Sequence, residues 1–346
     1  MKVTLKDIAL AAGVSISTVS RTISGDPKRK PSLKTQEKIW SIVHQMGYTP
    51  NEAARLLVNQ IEPVTNQHSI GIILASNIAD HATPFYSDIV RLIRQELEFS
   101  ALNLKYVVST KNKSKHEIFD YISTNSVNGI IILGVLTKDL LDTIYSQVKY
   151  AVYVGFNSTA LLVDEVICDG YQFVEAMILH LVNNGFTKIG FFGPILDKTT
   201  LLNNSTTFNN FIQVMQHHNM LINYSWFQNI AHTAEDGYNA MQELLQNDTL
   251  PNAIFCNSDY VALGCIRALS EAHLKVPSDI AIISIGNENF SKYAIPSIST
   301  IDFPKDSIAT FAINSLTEQI EHNRTLNIKF NIPFKLIARE STKNTH

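Results

Sequence analysis

Between Ser15 and Arg21 the chain reads Ser-Ile-Ser-Thr-Val-Ser-Arg, a run of small hydroxyls around one guanidinium and one aliphatic side chain. Wound as a helix, the run turns Ile16, Ser17, Ser20 and Arg21 to one face and Val19, with Ile23 beyond it, to the other. The first face has the chemistry to read a DNA duplex. Arginine matches the two acceptors of a guanine edge, a pairing that discriminates by ~1–3 kcal/mol, and isoleucine reads by apolar contact, as with a thymine methyl. Ile16, Ser17 and Arg21 are therefore candidates for base readout, and Ser15, Thr18 and Ser20 for phosphate contact. Catalytic chemistry is not indicated. The chain has no Ser/His/Asp constellation, no Gly-rich phosphate loop and no His/Cys cluster at zinc-ligand spacing. Neither an enzyme, a cofactor nor a bound metal is expected.

The elements around this run must hold it. Leu5, Ile8, Ala9 and Ala12 recur at helical spacing, Thr4 precedes them as an N-cap with Asp7 three residues on, and Gly13 ends the helix. Ser15 caps the second helix, which runs to about Ile23. The pattern by itself also fits an ordinary helical hairpin that never meets DNA. A basic loop, Gly25 to Pro31, leads to Ser32, the cap of a third helix over Leu33 to Met46. Its Ile39, Ile42, Val43 and Met46 close a three-helix core over Val14 and Val19. Pro50 and Asn51 then open a short helical segment, Glu52 to Asn59, and Ile61 to His68 is a linker. The expected division is 1–50 for the helix-turn-helix headpiece, 51–68 for hinge helix and linker, and 69–346 for the body.

Charge supports that division. Residues 1–60 hold nine Lys/Arg against four Asp/Glu, and the rest of the 346 residues hold 19 against 27. A basic head on an acidic body confines phosphate attraction to one end. Cys168, Cys256 and Cys265 are odd in number and far apart, which argues against a disulfide framework. No apolar run reaches the ~20 residues that cross a bilayer, and MKVTLKDI is no signal peptide, so a cytoplasmic protein without membrane contact is expected.

From Ser69 the pattern changes. Apolar runs of strand length at 70–74, 105–109, 129–133 and 151–154, then at 188–192, 253–256 and 280–285, alternate with amphipathic helical stretches. Strands buried on both faces and separated by helices predict parallel sheets covered on each side. The unit occurs twice, with Phe156 to Val163 between the two series, so the expected body is two α/β lobes about a cleft.

The words Thr4-Leu5-Lys6-Asp7-Ile8-Ala9, Ala12-Gly13-Val14-Ser15 and Thr18-Val19-Ser20-Arg21 resemble the headpiece of the LacI/GalR family of bacterial regulators. The resemblance continues through Pro84-Phe85-Tyr86, Gly185 to Gly190, Asn257 to Gly264, Val276 to Ile280 and Arg339 to Thr342, and covers nearly the whole chain. Within the family, Asn66-Gln67-His68 and Val154-Gly155-Phe156 are most similar to Ebg-type repressors of β-galactoside operons. The resemblance implies a type I periplasmic-binding-protein fold whose chain crosses between lobes three times. In it 304–321 would return to the first lobe and 328–337 close the second as a strand. It also implies that 52–59 orders on the operator, with Asn51 and Ala54 at the DNA and Leu57 wedged into the minor groove. Thr4 joins the DNA-contacting set. The basic loop is two residues longer than the family pattern. The chain stops at His346 without a leucine-heptad extension, so a homodimer on double-stranded operator DNA is expected.

Ligands of open α/β folds sit beyond the carboxyl ends of the strands. Phe85 and Tyr86 are candidates for stacking there, or else lobe core. Asn157, Ser258, Asp259 and Asn287 are candidates for directed hydrogen bonds, with helix capping as the alternative for Asp259. Thr207 or a neighbour takes the place where sugar-binding relatives carry an arginine, and no arginine lies between Arg94 and Arg267. A cleft of that kind suits a neutral polyol better than a carboxylate or phosphate. The expected function is a DNA-binding regulator of carbohydrate-utilisation genes, a repressor gated by a neutral sugar such as a galactoside. The alternatives are a sugar-binding protein without gene control and a regulator answering to a nucleoside or other non-sugar effector.

Overall fold

The computed structural model describes residues 5–24, 31–32, 35–36, 38–39, 42, 68–75, 84–98, 100–158, 163–195 and 207–343. Thr4, Asn51, Ala54 and Leu57, with the basic loop and the hinge segment, lie outside the described residues, as do the side chains of Ser20 and Arg21. The chain forms two compact units, Met1–Thr65 and Asn66–His346.

In the first unit, α1 (Leu5–Ala12) and α2 (Ile16–Ser24) pack through Ile8, Ala9, Ala12 and Val19, joined by Ile39. Leu5, Val14 and Ile42 lie against this core. The turn between the helices rests on Gly13, whose φ of +66° is the left-handed conformation that closes α1. Ser15 caps α2, its Oγ accepting from the Thr18 amide at 3.2 Å. Ser32 accepts from the Thr35 amide in the same way, at 3.3 Å.

The second unit carries two six-stranded sheets. The first lobe uses β1 (His68–Leu74), β2 (Leu102–Ser109), β3 (Gly129–Leu133), β4 (Tyr150–Gly155) and β5 (Asp164–Ile167). Among these lie α3 (Pro84–Leu97), α4 (Lys115–Thr124) and α5 (Lys138–Tyr145). The second lobe uses α6 (Gly170–Asn183), β6 (Ile189–Gly193), α7 (Thr207–His217), β7 (Phe227–Asn229), α8 (Ala234–Leu244), β8 (Ala253–Cys256), α9 (Asp259–Glu271), β9 (Ala281–Ile285) and β10 (Ser299–Asp302). Then α10 (Lys305–His322) returns to the first lobe, β11 (Lys329–Asn331) joins its sheet, and β12 (Lys335–Ile337) joins the other. The strand orders are β11-β5-β4-β3-β1-β2 and β12-β10-β9-β8-β6-β7, all parallel but for the β10–β12 pair. The core strands read GIIIL, IGFFG and AIISI and are buried throughout, as strands covered on both faces must be.

Two expectations are corrected. Residues 156–163 do not separate the lobes: β5 follows and pairs with β4, so the chain leaves the first lobe only after Ile167. β5 reads DEVI, and its two acidic residues break the apolar signature of a buried strand. Asp164 is tolerated there because Arg324, Ser315 and the Ile328 amide surround its carboxylate. Likewise 328–337 is not one strand of the second lobe. Its first half pairs with β5 through Lys329↔Glu165 and its second half with β10 through Leu336↔Ile301. The chain thus crosses between lobes three times, after β5, after β10 and between β11 and β12. Among the described residues, no helix is long and apolar enough to cross a membrane.

Candidate DNA-reading face and effector cleft

On α2 the local structure separates two faces. Val19 is fully buried against α1, and Thr22 is buried with its Oγ1 donating to the Thr18 carbonyl at 2.9 Å. Ser15, Ile16 and Ser17 are exposed, Ile16 by 48% despite its side chain. Ile16 thus contributes little to the core of this unit, as does Leu10 of α1, which is 82% exposed. Ser15 Oγ lies 2.8 Å from both Ser17 Oγ and Thr18 Oγ1, so the hydroxyls at the helix start form one cluster at the first turn. Helix dipole and amides together favour an anion such as a phosphate at this end.

In the second unit, the first crossing leaves the carboxyl end of β5 and the second leaves that of β10. Both sheets therefore direct their carboxyl ends toward the crossings. Rings from both lobes pack there. Phe156 lies 5.0 Å from Phe85, 5.0 Å from Phe303 and 5.7 Å from Phe173, and Phe173 lies 6.2 Å from Phe334. Phe85 and Tyr86 are both buried, with ring centroids 4.9 Å apart, and burial pushes the Tyr86 hydroxyl well above its ordinary value. Both pack in the apolar core at the crossing region.

The polar candidates divide into two groups. Asn157, just beyond β4, is half-buried and accepts from Asn210 of α7 at 3.2 Å, an amide contact between the lobes. Gly170 makes room for it, since a Cβ at that position would stand 2.4 Å from Asn210 Nδ2 and 2.6 Å from Asn157 Oδ1. Thr207 begins α7 on the same side and is half-buried. The second group is occupied within the second lobe. Ser258, not Asp259, caps α9, accepting from the Val261 amide and donating to the His232 carbonyl, each at 3.2 Å. Asp259 is fully buried and accepts from Ser284 Oγ, from Thr300 Oγ1 at 2.7 Å and from the Glu288 amide at 2.6 Å. Burial outweighs these donors and holds its carboxyl above the usual carboxylate value. Asn287, at φ +50°, donates to Asp302 at 3.1 Å and accepts from Arg339 at 2.7 Å. Asp259 and Asn287 therefore brace the loop after β9.

Sequence reasoning missed three participants. Asn210 gave no signal, because an asparagine in a helix is ordinary. Lys305 and Glu288 become a pair only across the crossing. Lys305 Nζ lies 2.8 Å from Asp88 of the first lobe and 3.6 Å from Glu288 of the second. Burial raises both carboxyls, but Lys305 and Arg91 outweigh it at Asp88, which lies below its ordinary value, while Glu288 stays above.

Comparison with known proteins follows the same division. Residues 4–51 match the family model described as bacterial regulatory proteins, lacI family, and residues 178–342 match the periplasmic binding protein-like domain. The chain is 31% identical to the HTH-type transcriptional repressor PurR of Haemophilus influenzae (strain PittEE), with 99% of each chain covered. It is similar in structure to a transcriptional regulator CelR–cellobiose complex, with a TM-score of 0.69 at 21% identity, covering 98% of this chain and 100% of that one. It is equally similar to the lac repressor dimer bound to operator and the anti-inducer ONPF, with a TM-score of 0.69 at 22% identity and 99% of each chain covered.

Proposed function

The chain belongs to the LacI family of bacterial regulatory proteins, and from that premise we propose which residues read the operator and what class of molecule controls the reading. The protein is a DNA-binding transcriptional repressor, like its relatives and unlike an enzyme. Helix α2 enters the major groove, where Ile16, Ser17 and Arg21 meet base edges and Ser15, Thr18 and Ser20 meet phosphates. Thr4, Asn51 and Ala54 add contacts beside it, and Leu57 wedges into the minor groove. The observation that carries this reading is the exposed Ile16 opposite the fully buried Val19 on one capped helix. Two such heads on a cytoplasmic homodimer address two half-sites.

The effector in this reading is a neutral mono- or disaccharide, a galactoside first among them. It is held between the lobes by the amide and hydroxyl groups of Asn157, Asn210 and Thr207. Support comes from the meeting of Asn157 and Asn210 across the crossing at 3.2 Å and from the absence of any arginine between Arg94 and Arg267. Arg339 is already engaged with Ser291, Asn287 and the Ile298 carbonyl, so it offers no guanidinium to an anion. The cellobiose complex of a structurally similar regulator adds support for a sugar.

Gel mobility shift with the DNA upstream of the protein's own gene, repeated at rising salt, tests the first part. A specific, salt-sensitive complex is expected, and binding no better than to random DNA overturns the operator reading. Calorimetry with neutral sugars, sugar phosphates and purines tests the second. Tight binding of a sugar phosphate or a purine, with none of any neutral sugar, overturns the sugar.

A further inference from the structure

Helices α6 and α7 bring Glu175, His217 and His218 together, with one ligand atom of each within 4.8 Å of the others. His218 Nε2 lies 2.8 Å from Glu175 Oε1, and the two imidazole centroids are 5.0 Å apart. Glu175 and His218 are half-buried and His217 is exposed, so the cluster is open to solvent on one side.

The backbone beneath the cluster is fixed. Glu175 stands on α6 between Val174 and Met177, both fully buried. At the end of α7, Val214 and Met215 are fully buried, and Asn219 turns left-handed at φ +52°. The Met220 amide then reaches back to the Met215 carbonyl at 2.8 Å, a bond that closes the helix end. The two histidines at this closed end and the carboxylate on the neighbouring helix are thus pre-positioned, needing only small side-chain rotations to converge.

We infer that Glu175, His217 and His218 bind a divalent transition-metal ion of the zinc class. Two imidazoles and one carboxylate form a donor set that suits zinc, cobalt, nickel or copper over magnesium or calcium, which prefer all-oxygen surroundings. Metal–nitrogen and metal–oxygen bonds of about 2.0–2.2 Å draw the three ligand atoms inward from their present spacing. Three protein ligands leave a further position for water. The bound ion joins α6 to α7 and, binding the folded state alone, raises its stability by mass action.

Tag-free full-length protein, stripped with chelator, is titrated with zinc sulfate by calorimetry and with cobalt chloride by visible absorption. One ion per chain is expected, with tetrahedral or five-coordinate cobalt bands, no thiolate charge-transfer band, and a rise in thermal midpoint that magnesium does not reproduce. Glu175→Gln, His217→Ala and His218→Ala are each expected to weaken zinc binding by at least about tenfold, as losses even in the outer surroundings of a metal do. His217 is exposed, so His217→Ala keeps the fold and its midpoint without metal stays at the wild-type value. Zinc affinity unchanged in that variant, a thiolate band that assigns the ion to a cysteine, or no binding to the wild-type chain overturns the site.

Discussion

Arg21 and Ile16 lie on the same helix, and in the proposed operator reading they have different work on a base edge. The guanidinium selects by hydrogen bonds, whereas the aliphatic chain selects by fit. Arg21→Ala is expected to relax preference among operator variants by ~1–3 kcal/mol at one base pair, read by competition binding against single-base substitutions. An unchanged preference profile would remove Arg21 from the reading set. Ile16→Ser should change which operators bind while leaving stability within about 0.5 kcal/mol, because its exposed side chain contributes little to the core. Asp259 shows the opposite case. Its residue type and place beyond β8 suggest ligand contact, yet its carboxylate is occupied by Ser284, Thr300 and the Glu288 amide.

Among the elements, the turn between α1 and α2 depends on a single backbone conformation. A Cβ at Gly13 would meet nothing within 4 Å, so a substitution there acts through φ alone. Gly13→Ala is expected to cost the headpiece about 1–2 kcal/mol, seen as faster amide exchange in α1 and α2 with the body unaffected. In the first lobe the corresponding device is the pair of buried Asp164 and half-buried Arg324, which ties β5 to the segment after α10. Burial raises the Asp164 carboxyl, but Arg324, Ser315 and the Ile328 amide outweigh it and hold the value below the ordinary one. A lowered carboxyl stabilises the fold above its unfolded value and loses that contribution as pH falls through its folded value. Asp164→Asn should therefore destabilise the body by about 1–3 kcal/mol at neutral pH, since it removes the buried charge that Arg324 pairs with and leaves that guanidinium to Glu318 at 3.5 Å, and should flatten the acid limb of stability against pH. An unaltered acid limb in urea unfolding would show that the pair carries no such linkage.

At the scale of the whole molecule, three chain segments, a ring cluster and an ion bridge join the lobes at the crossing region among the described residues. Lys305 holds Asp88 on one side and Glu288 on the other, which fixes one lobe against its partner without a covalent tie. Lys305→Met leaves two carboxylates facing across the crossing without their cation. It is expected to open the lobes, read as a larger radius of gyration in small-angle scattering, and to change effector–operator coupling by about 0.5–2 kcal/mol. Scattering identical to wild type would show that the rings alone set the lobe angle. Because coupling is reciprocal, operator DNA should alter effector affinity by the same factor that effector alters operator affinity.

The headpiece and the alternation of strands and helices were legible in the sequence because their causes are local. Caps, a glycine at the turn and apolar spacing act within a few residues of Thr18 or Ile131. The division of short strands between lobes was not legible, since β11 is defined by pairing with β5 more than a hundred residues away, and β5 carries an Asp164 whose partners Arg324, Ser315 and the Ile328 amide are equally distant in the chain. The same holds for the site. Asn157 was identifiable as a polar group at a strand end, whereas its partner Asn210, the bridging Lys305 and the internal bonds of Asp259 depend on which groups folding brings within hydrogen-bond reach. Sequence by itself determined what the chain reads and the kind of body that controls it. Only the tertiary structure decided which polar side chains are engaged within the fold, because a buried donor or acceptor must find a partner and takes the nearest one that folding supplies.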